Sequence, residues 1–231
     1  MGSLGFDGYK EILKHRLGLR ADLDSAGASS LNYYGIFVNN AYRQLCTQDD
    51  IFGLKKKLYF PQLLSSGTAT TTDGTAYIST PSSCLFVTQV FDTTNSRKLD
   101  WIPWRKYVDY TDRTDTTKEG DATEWVRYGE RIYLHPTPGT TGDTFTIYYK
   151  KLVADLTGTD TTIIGAEWDE PILELAAYKA FRHIGEYDDA KNAREVFLEM
   201  AAGLADIGEN DEKDTGEAWA PSLAYIRRGG R

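Results

Sequence analysis

Residues 144–150, TFTIYYK, and residues 167–204, EWDEPILELAAYKAFRHIGEYDDAKNAREVFLEMAAGL, decide the fold of this 231-residue chain. Apolar and polar residues alternate in the first stretch, which predicts a strand whose odd-numbered residues share the buried face. The second stretch has helical periodicity and predicts two consecutive helices, with Gly185 ending the first and Asp188 capping the second. A strand that leads into a helical hairpin is therefore the central feature of the sequence.

A β-hairpin is predicted immediately before this region, in TEWVRYGERIYLHPTP, residues 123–138. The two-residue connection Gly129-Glu130 is of the Gly-X kind, which favours a type II′ turn. Farther upstream, branched and aromatic residues predict strands in CLFVTQVFD, residues 84–92, and in TAYIST, residues 75–80. Together with the strand at residues 144–150, these predicted strands form a substantial β region.

Other segments of the β region carry weaker patterns. LKKKLYF, residues 54–60, is a strand candidate, and WRKYVDYTD, residues 104–112, is a candidate for a short helix under the sheet. SSGTATTTDGT, residues 65–75, is rich in small and polar residues, so we interpret it as a turn cluster.

Two amphipathic helices are expected before the β region. Asp7 is a candidate N-cap of the first and Ser30 of the second. Apolar residues recur at helical spacing in both segments: Tyr9, Ile12, Leu13 and Leu17 in the first, and Leu31, Tyr34, Val38, Ala41, Tyr42 and Leu45 in the second. We interpret these stripes as core rather than as ligand surfaces.

The predicted fold is therefore α+β, with a helical bundle built from the N- and C-terminal helices and an inserted antiparallel β-sheet or sandwich domain. We expect bundle helices in 1–52, the β domain in 53–153, the C-terminal helical hairpin in 154–207 and an extended C-terminal arm in 208–231. The arm is acidic at first, yet it ends in AWAPSLAYIRRGGR. Its apolar residues favour an arm that docks on a partner, with a floppy terminus as the alternative.

Composition excludes several classes of protein. A hydrophobic content of 41% is that of an ordinary globular protein, whereas the net charge of −8 argues against a general nucleic-acid binder. The sequence has no apolar run that would span a membrane and no signal peptide. Cys46 and Cys84 lie in different predicted elements, which favours a reducing compartment over a disulfide framework. We expect a soluble intracellular chain.

No catalytic constellation is visible, so we expect a protein that is not an enzyme and that needs no cofactor or metal. The common nucleotide-binding, nucleophile-elbow and zinc-protease motifs are absent from the sequence. The three histidines, His15, His135 and His183, fall in separate elements. The acidic pairs Asp169-Glu170 and Asp188-Asp189 are better explained by helix capping and the helix dipole.

Trp101 and Trp104 give the main alternative. Such a pair could stack on a sugar ring, which would suit a carbohydrate-binding or tail-fibre-associated β module. We favour packing of the β domain on a helix as the role of these two residues.

The order of the motifs resembles that of the phage head–tail adaptor (connector) family, which includes adaptors of some siphophages and the tail tubular, or gatekeeper, adaptor of short-tailed phages. The matching residues are Glu124-Trp125, Arg131 to Pro138, Ile147 to Lys150, Glu167-Trp168 and Gly185 to Ala190. The chain departs from the family at Asp169, where histidine is common, and in the Thr-rich stretch from Leu63 to Thr80.

The resemblance implies a structural virion protein made in the host cytoplasm and located in the neck between capsid and tail. It implies a homo-oligomeric ring of about twelve copies between the portal protein and a nozzle, stopper or tail tube. Double-stranded DNA would pass through the lumen without sequence-specific binding, and no membrane would be involved. In this family C-terminal segments commonly insert into the portal, so the candidate docking residues are Trp219, Leu223, Tyr225, Ile226, Arg227 and Arg228.

Overall fold

The computed structural model describes residues 4–24, 31–47, 51–54, 58, 60–113 and 119–214. These residues form two compact units. The helical unit consists of the described residues up to Leu63 and from Val153 onward, and the β unit is the segment 64–152. A sheet domain is thus inserted between N- and C-terminal helices, which confirms the predicted α+β class.

The helical unit contains four of the described helices. They are α1 (Phe6–Arg16), α2 (Tyr33–Thr47), α4 (Asp169–Ile184) and α5 (Tyr187–Asp214). One continuous hydrophobic core joins them, and it includes most of the predicted stripe residues. Ile12 and Leu31 are the exceptions, because both are exposed.

The helical hairpin α4–α5 packs closely through small residues. Gly185 follows α4 with φ 86° and its N–H bonds the carbonyl of Phe181, the predicted glycine C-cap. In α5, the buried face consists of one aromatic side chain among alanines: Ala190, Ala193, Phe197, Ala201 and Ala205. Alanine at these positions lets the two helix backbones approach each other.

The β unit comprises two four-stranded sheets. In chain order, its elements are β1 (Leu64–Thr70), β2 (Tyr77–Ser79), β3 (Cys84–Asp92), β4 (Arg97–Lys98), β5 (Asp100–Trp101), α3 (Trp104–Arg113), β6 (Glu124–Tyr128), β7 (Arg131–His135) and β8 (Thr144–Lys151). Sheet 1 has the order β1-β8-β3-β4 and sheet 2 the order β2-β7-β6-β5. The β5–β6 pair is parallel and the other pairs are antiparallel.

The inner faces of the two sheets share a core. Sheet 1 contributes Phe145, Ile147 and Tyr149, the odd-numbered residues predicted to be buried on one face of β8. Sheet 2 contributes Trp125 and Ile132, among others. Because both inner faces are apolar, the β unit is a small sandwich.

Turn geometry in the β unit follows the sequence. Gly129 has φ 63°, and Glu130 is not among the non-glycine residues with positive φ. A positive φ at the first of two loop residues alone is the type II′ pattern predicted for the β6–β7 hairpin.

Five local predictions need correction or fall outside the described residues. The stretch predicted as a turn cluster begins inside strand β1, which pairs with β8 along its whole length. Helix α1 begins at Phe6 after Gly5, so Asp7 lies in the first turn and is not the cap. Likewise α5 begins at Tyr187, which places Asp188 in its first turn. Ser30 and most of LKKKLYF lie outside the described residues.

The C-terminal helix is longer than the sequence pattern indicated. Helix α5 continues to Asp214, so residues 208–214 are helical rather than part of an extended arm. Once a helix is nucleated, each further residue adds a hydrogen bond at little cost, and glutamate and lysine are good helix formers. None of the described helices is long and apolar enough to cross a lipid bilayer.

Candidate assembly surfaces

The candidate docking residues of the arm, Trp219, Leu223, Tyr225, Ile226, Arg227 and Arg228, lie beyond Asp214 and outside the described residues. Their role stays a prediction. The described residues nevertheless contain two surfaces that could take part in assembly, both in the β unit. One is an aromatic cluster on the outer face of sheet 2, and the other is the free edge of β1.

The aromatic cluster forms where α3 covers the outer face of sheet 2. We define it as the residues whose rings stack or pack there: Tyr77, Trp104, Tyr107, Tyr110, Tyr128, Tyr133 and His135. Side chains alternate across a strand, so residues at every second position of β7 point to this face while Ile132 and Leu134 enter the sandwich core. The two faces of one sheet thus have different chemistry.

Trp104 holds the cluster together. Its ring stacks on Tyr128 with centroids 4.3 Å apart and on Tyr107 at 5.4 Å, and it meets the edge of Tyr133 at 5.2 Å. Stacked and edge-to-face aromatic pairs each stabilise beyond the area they bury. Trp104 is therefore mainly a packing residue of α3 on the sheet, the role favoured from the sequence.

Trp101 has a different environment. It lies on β5 and is 42% exposed, and none of the ring pairs among the described residues joins it to Trp104. Tyr128 is 58% exposed although it stacks on Trp104. The two tryptophans do not form a flat platform of the kind that stacks on a sugar, and the exposed aromatic surface here is made by Trp101 and Tyr128.

Cations border the aromatic cluster. The Nζ atom of Lys106 lies 2.8 Å from a carboxylate oxygen of Glu124 and 5.1 Å from the centre of the Tyr110 ring. Hydrogen bonds to Glu124 and Tyr110 raise the pKa of Lys106 above its usual range. Arg131 lies over Tyr77 at 4.1 Å, a cation–π contact. These cations are engaged within the β unit, which makes them poor candidates for gripping DNA phosphates.

The edge of β1 is the second surface. Among the described strands, β1 has a neighbour on one side only, β8, and its even-numbered residues are exposed. Proteins usually protect a sheet edge with charged residues or proline. The seven residues of β1, LSSGTAT, include neither. This edge is available for pairing with another strand.

In the helical unit, Asp169 fastens the N-terminal segment to the start of α4. Its carboxylate accepts hydrogen bonds from the Leu4 backbone N–H at 2.7 Å and from the Tyr9 hydroxyl. Burial, together with the nearby Asp169 carboxylate, raises the pKa of Tyr9 above its usual range. The residue at which the sequence departs from the family pattern thus has a structural role.

The histidines are not convergent. His135 stacks on Tyr110, with centroids 4.6 Å apart, and His183 stacks on Tyr33 at 5.2 Å, while His15 is exposed on α1. Among the described residues, no group of three His, Cys, Asp or Glu side chains could hold a metal ion. Cys46 and Cys84 are both buried free thiols.

Sequence reasoning missed both candidate surfaces. The aromatic cluster draws on three separate strands and a helix, so only the tertiary fold assembles it. One local signal was present, because β7 alternates Arg131, Tyr133 and His135 with aliphatic residues, which indicates two buried faces. The β1 edge gave no signal, since small polar residues are typical of turns.

Comparison with known sequences agrees with this architecture. No curated protein matches the chain. The family model described as SU10 adaptor protein matches residues 9–225, a span that includes both units and most of the arm. The chain therefore belongs to the SU10 adaptor protein family and is a phage adaptor protein, a structural component of the virion.

Proposed function

We propose that this adaptor forms a ring of about twelve copies that docks on the portal protein. The ring would join the portal to the next tail component, a nozzle, stopper or tail tube, in the neck of the virion. The observation that carries the proposal is the family match, which spans both units and reaches into the arm. The adaptor would act through surfaces and not through chemistry, so we propose no enzymatic activity.

The C-terminal arm is the proposed contact with the portal. Helix α5 extends as far as Asp214, and the arm follows it. Trp219, Leu223, Tyr225 and Ile226 are the anchors we propose, because large apolar side chains dominate binding energy when a partner buries them. Arg227 and Arg228 would pair with acidic groups of the portal.

The distribution of charge favours passage of DNA without binding. Half of the 34 acidic residues lie after Leu152, in the segment that contains α4, α5 and the arm. Negative charge along a channel repels phosphates and lets the duplex slide. We infer that this part of the chain contributes to the lumen wall.

The test is reconstitution on the portal. Purified adaptor is mixed with portal rings and imaged by negative-stain electron microscopy, and its affinity is measured by sedimentation. We expect one added ring, and we expect the double variant Trp219→Ala/Tyr225→Ala to bind at least tenfold more weakly. Ser222→Ala changes a small polar residue of the same arm and is the matched control. An unaltered affinity of the double variant would remove the arm from the portal contact, and the absence of a ring would refute the proposal.

The carbohydrate-binding alternative rests on the exposed ring of Trp101. Trp104 is not a second free platform beside it, because its ring is engaged by Tyr107, Tyr128 and Tyr133. We expect a glycan array to show no binding above background. Binding that Trp101→Ala abolishes and Trp104→Phe preserves would support the alternative instead.

A further inference from the structure

The free edge of β1 (Leu64–Thr70) is unlike the other sheet ends of the β unit. The strands at those ends are β4 and β5, with two residues each, and β2, with three. Short strands present few open backbone groups. Strand β1 presents seven residues without charge, and so it is the sheet end at which an added strand would gain most.

The hydrogen-bond pattern shows which groups of β1 are open. The Thr144 carbonyl, on β8, accepts from Thr93 at 2.8 Å, so even-numbered residues of β8 bond toward β3. Odd-numbered residues of β8 therefore bond toward β1, where the register pairs them with odd-numbered residues. The N–H and C=O groups of Ser66, Thr68 and Thr70 consequently point outward, and none of the recorded bonds within the described parts of the chain satisfies them.

Side-chain size along β1 also leaves room for a partner. Ser66, Thr68 and Thr70 are small and exposed. On an antiparallel pair, the side chains directly opposite lie close together, and small residues on one strand accommodate large ones on the other. The fitting partner is a strand with large apolar side chains opposite these small residues.

The chain contains one segment with that pattern outside the described residues. Residues 222–228, SLAYIRR, follow Pro221 and precede Gly229-Gly230, so turn formers bound a stretch of strand length. Leu223 and Tyr225 would share one face. Residues 218–226 contain no charged side chain, and 222–228 match β1 in length.

We propose that residues 222–228 of one copy add to the free edge of β1 in a second copy. The added strand satisfies the outward backbone groups of β1, the mode of recognition known as β-augmentation. Because the arm and the edge are different surfaces, the contact is head-to-tail, and repeated rotation closes it into a ring. The inference deepens the proposed function and rests on it, since it links the copies while one face of the arm stays free for the portal.

The experiment joins two full-length chains by cysteine chemistry. Ser66→Cys is introduced in one chain and Ala224→Cys in another, and a short bismaleimide is added before and after the chains are mixed with the portal. The native thiols Cys46 and Cys84 are buried, and each single variant alone is the control for their reaction. We expect a covalent dimer that contains one chain of each kind, and a doubly substituted chain should give ladders rather than a product closed within one chain.

A proline substitution and its matched control test whether the backbone groups of the β1 edge make the contact. Thr68→Pro removes an outward N–H and leaves the bonds to β8 intact, a position at which edge strands tolerate proline. We expect it to reduce the cross-link with Ser66→Cys at least tenfold, whereas Thr68→Val, which keeps the N–H, should not. If circular dichroism shows that Thr68→Pro unfolds the β unit, Ala224→Pro in the arm, cross-linked from Leu223→Cys, makes the same test from the other side.

The outcomes separate this inference from the proposed function. Rings on the portal without a cross-link, or with one that neither proline reduces, overturn the inference and leave the adaptor role standing. A cross-link confined to single chains also overturns it, because the arm would then cover its own β1. A proline-sensitive cross-link between chains that form no ring on the portal supports the edge contact and refutes portal docking.

Discussion

The helical unit and the β unit satisfy their backbone hydrogen-bonding groups in different ways. In the helical unit, the backbone groups are satisfied within each helix, and one continuous core joins α1, α2, α4 and α5. In the β unit, two cores lie on opposite faces of sheet 2, and a seven-residue strand edge is open. A helical surface can recruit a partner through side chains alone, whereas an open sheet edge can recruit one through its backbone as well.

This difference suggests a division of work within the adaptor. The buried face of α5 is alanine-rich, so it fixes the position of this helix closely. The β unit exposes Trp101, Tyr128 and the β1 edge, which are features of a contact surface. Mutations should therefore act through stability in the first unit and through both stability and assembly in the second.

The largest expected effect is on the core of the helical unit. Phe197 is fully buried among the alanines of α5 and meets the edge of Phe52 at 6.0 Å. Phe197→Ala should lower the free energy of unfolding by about 3–5 kcal/mol, because it leaves a cavity that the neighbours cannot fill. Urea unfolding followed by circular dichroism at the helical band measures it.

Val196 is the matched control on the same helix, since it is exposed. Val196→Ala should change the free energy of unfolding by less than about 0.5 kcal/mol. Equal effects of the two variants would show that α5 is not packed through the face described.

A smaller effect is expected at the aromatic cluster of the β unit. Trp104→Ala removes three ring contacts from a half-buried site and should cost about 2 kcal/mol. Trp101→Ala, at an exposed tryptophan on β5, should cost less than about 1 kcal/mol. Thermal unfolding followed by tryptophan fluorescence compares them, and a larger effect at Trp101 would contradict the assignment of Trp104 as the packing residue.

The third prediction concerns the contact between Asp169 and the N-terminal segment. Asp169→Asn weakens the hydrogen bonds from Leu4 and Tyr9 and should cost about 1–2 kcal/mol. Glu170→Gln removes the same charge from the first turn of α4 at an exposed position, so it is the control for the helix dipole. A double-mutant cycle with Tyr9→Phe should show a coupling energy, and its absence would mean that the two side chains act independently.

The last prediction is alkaline sensitivity of the helical unit. Burial raises the pKa of Tyr42 to about 12 and also raises that of Tyr9, so folding favours the neutral phenols. The stability they contribute is complete below the ordinary tyrosine pKa of about 10 and is lost as pH rises above it, for Tyr42 through about 12. Urea midpoints should fall from about pH 9 to pH 11, with each group losing roughly 1 kcal/mol.

The control for this pH dependence is the exposed Tyr187. Tyr42→Phe should flatten the fall in the urea midpoint, and Tyr187→Phe should leave it unchanged. A fall of equal size in all three proteins would assign the alkaline sensitivity to other groups.

The sequence was sufficient where one element carries its own pattern. The stripe of α2 from Tyr34 to Leu45, the alternation of β8, the glycine end of α4 and the Gly129-Glu130 turn are local signals, and the structure confirms each of them. It was insufficient where an element depends on its neighbour. Strand β1 has weak β-propensity, and it is a strand because β8 pairs with every residue of it.

Candidate surfaces were harder to predict than elements, for the same reason. Trp104 could be singled out from the sequence, but its partners Tyr107, Tyr128 and Tyr133 are brought together by α3, β6 and β7. The end of α5 is misplaced by the sequence because the acidic stretch that begins at Gly208 has no helical period of useful length. The helix nevertheless continues to Asp214.

Helix α5 also has a geometric consequence. Its 28 residues span about 42 Å, so it sets a fixed distance between the α4–α5 turn and the root of the arm. Each inserted or deleted residue would shift that root by about 1.5 Å and rotate it by about 100° around the helix axis. The direction in which the arm leaves therefore depends on the rotation accumulated along α5. An insertion of seven residues adds about two full turns and should preserve this direction, whereas an insertion of two residues should not.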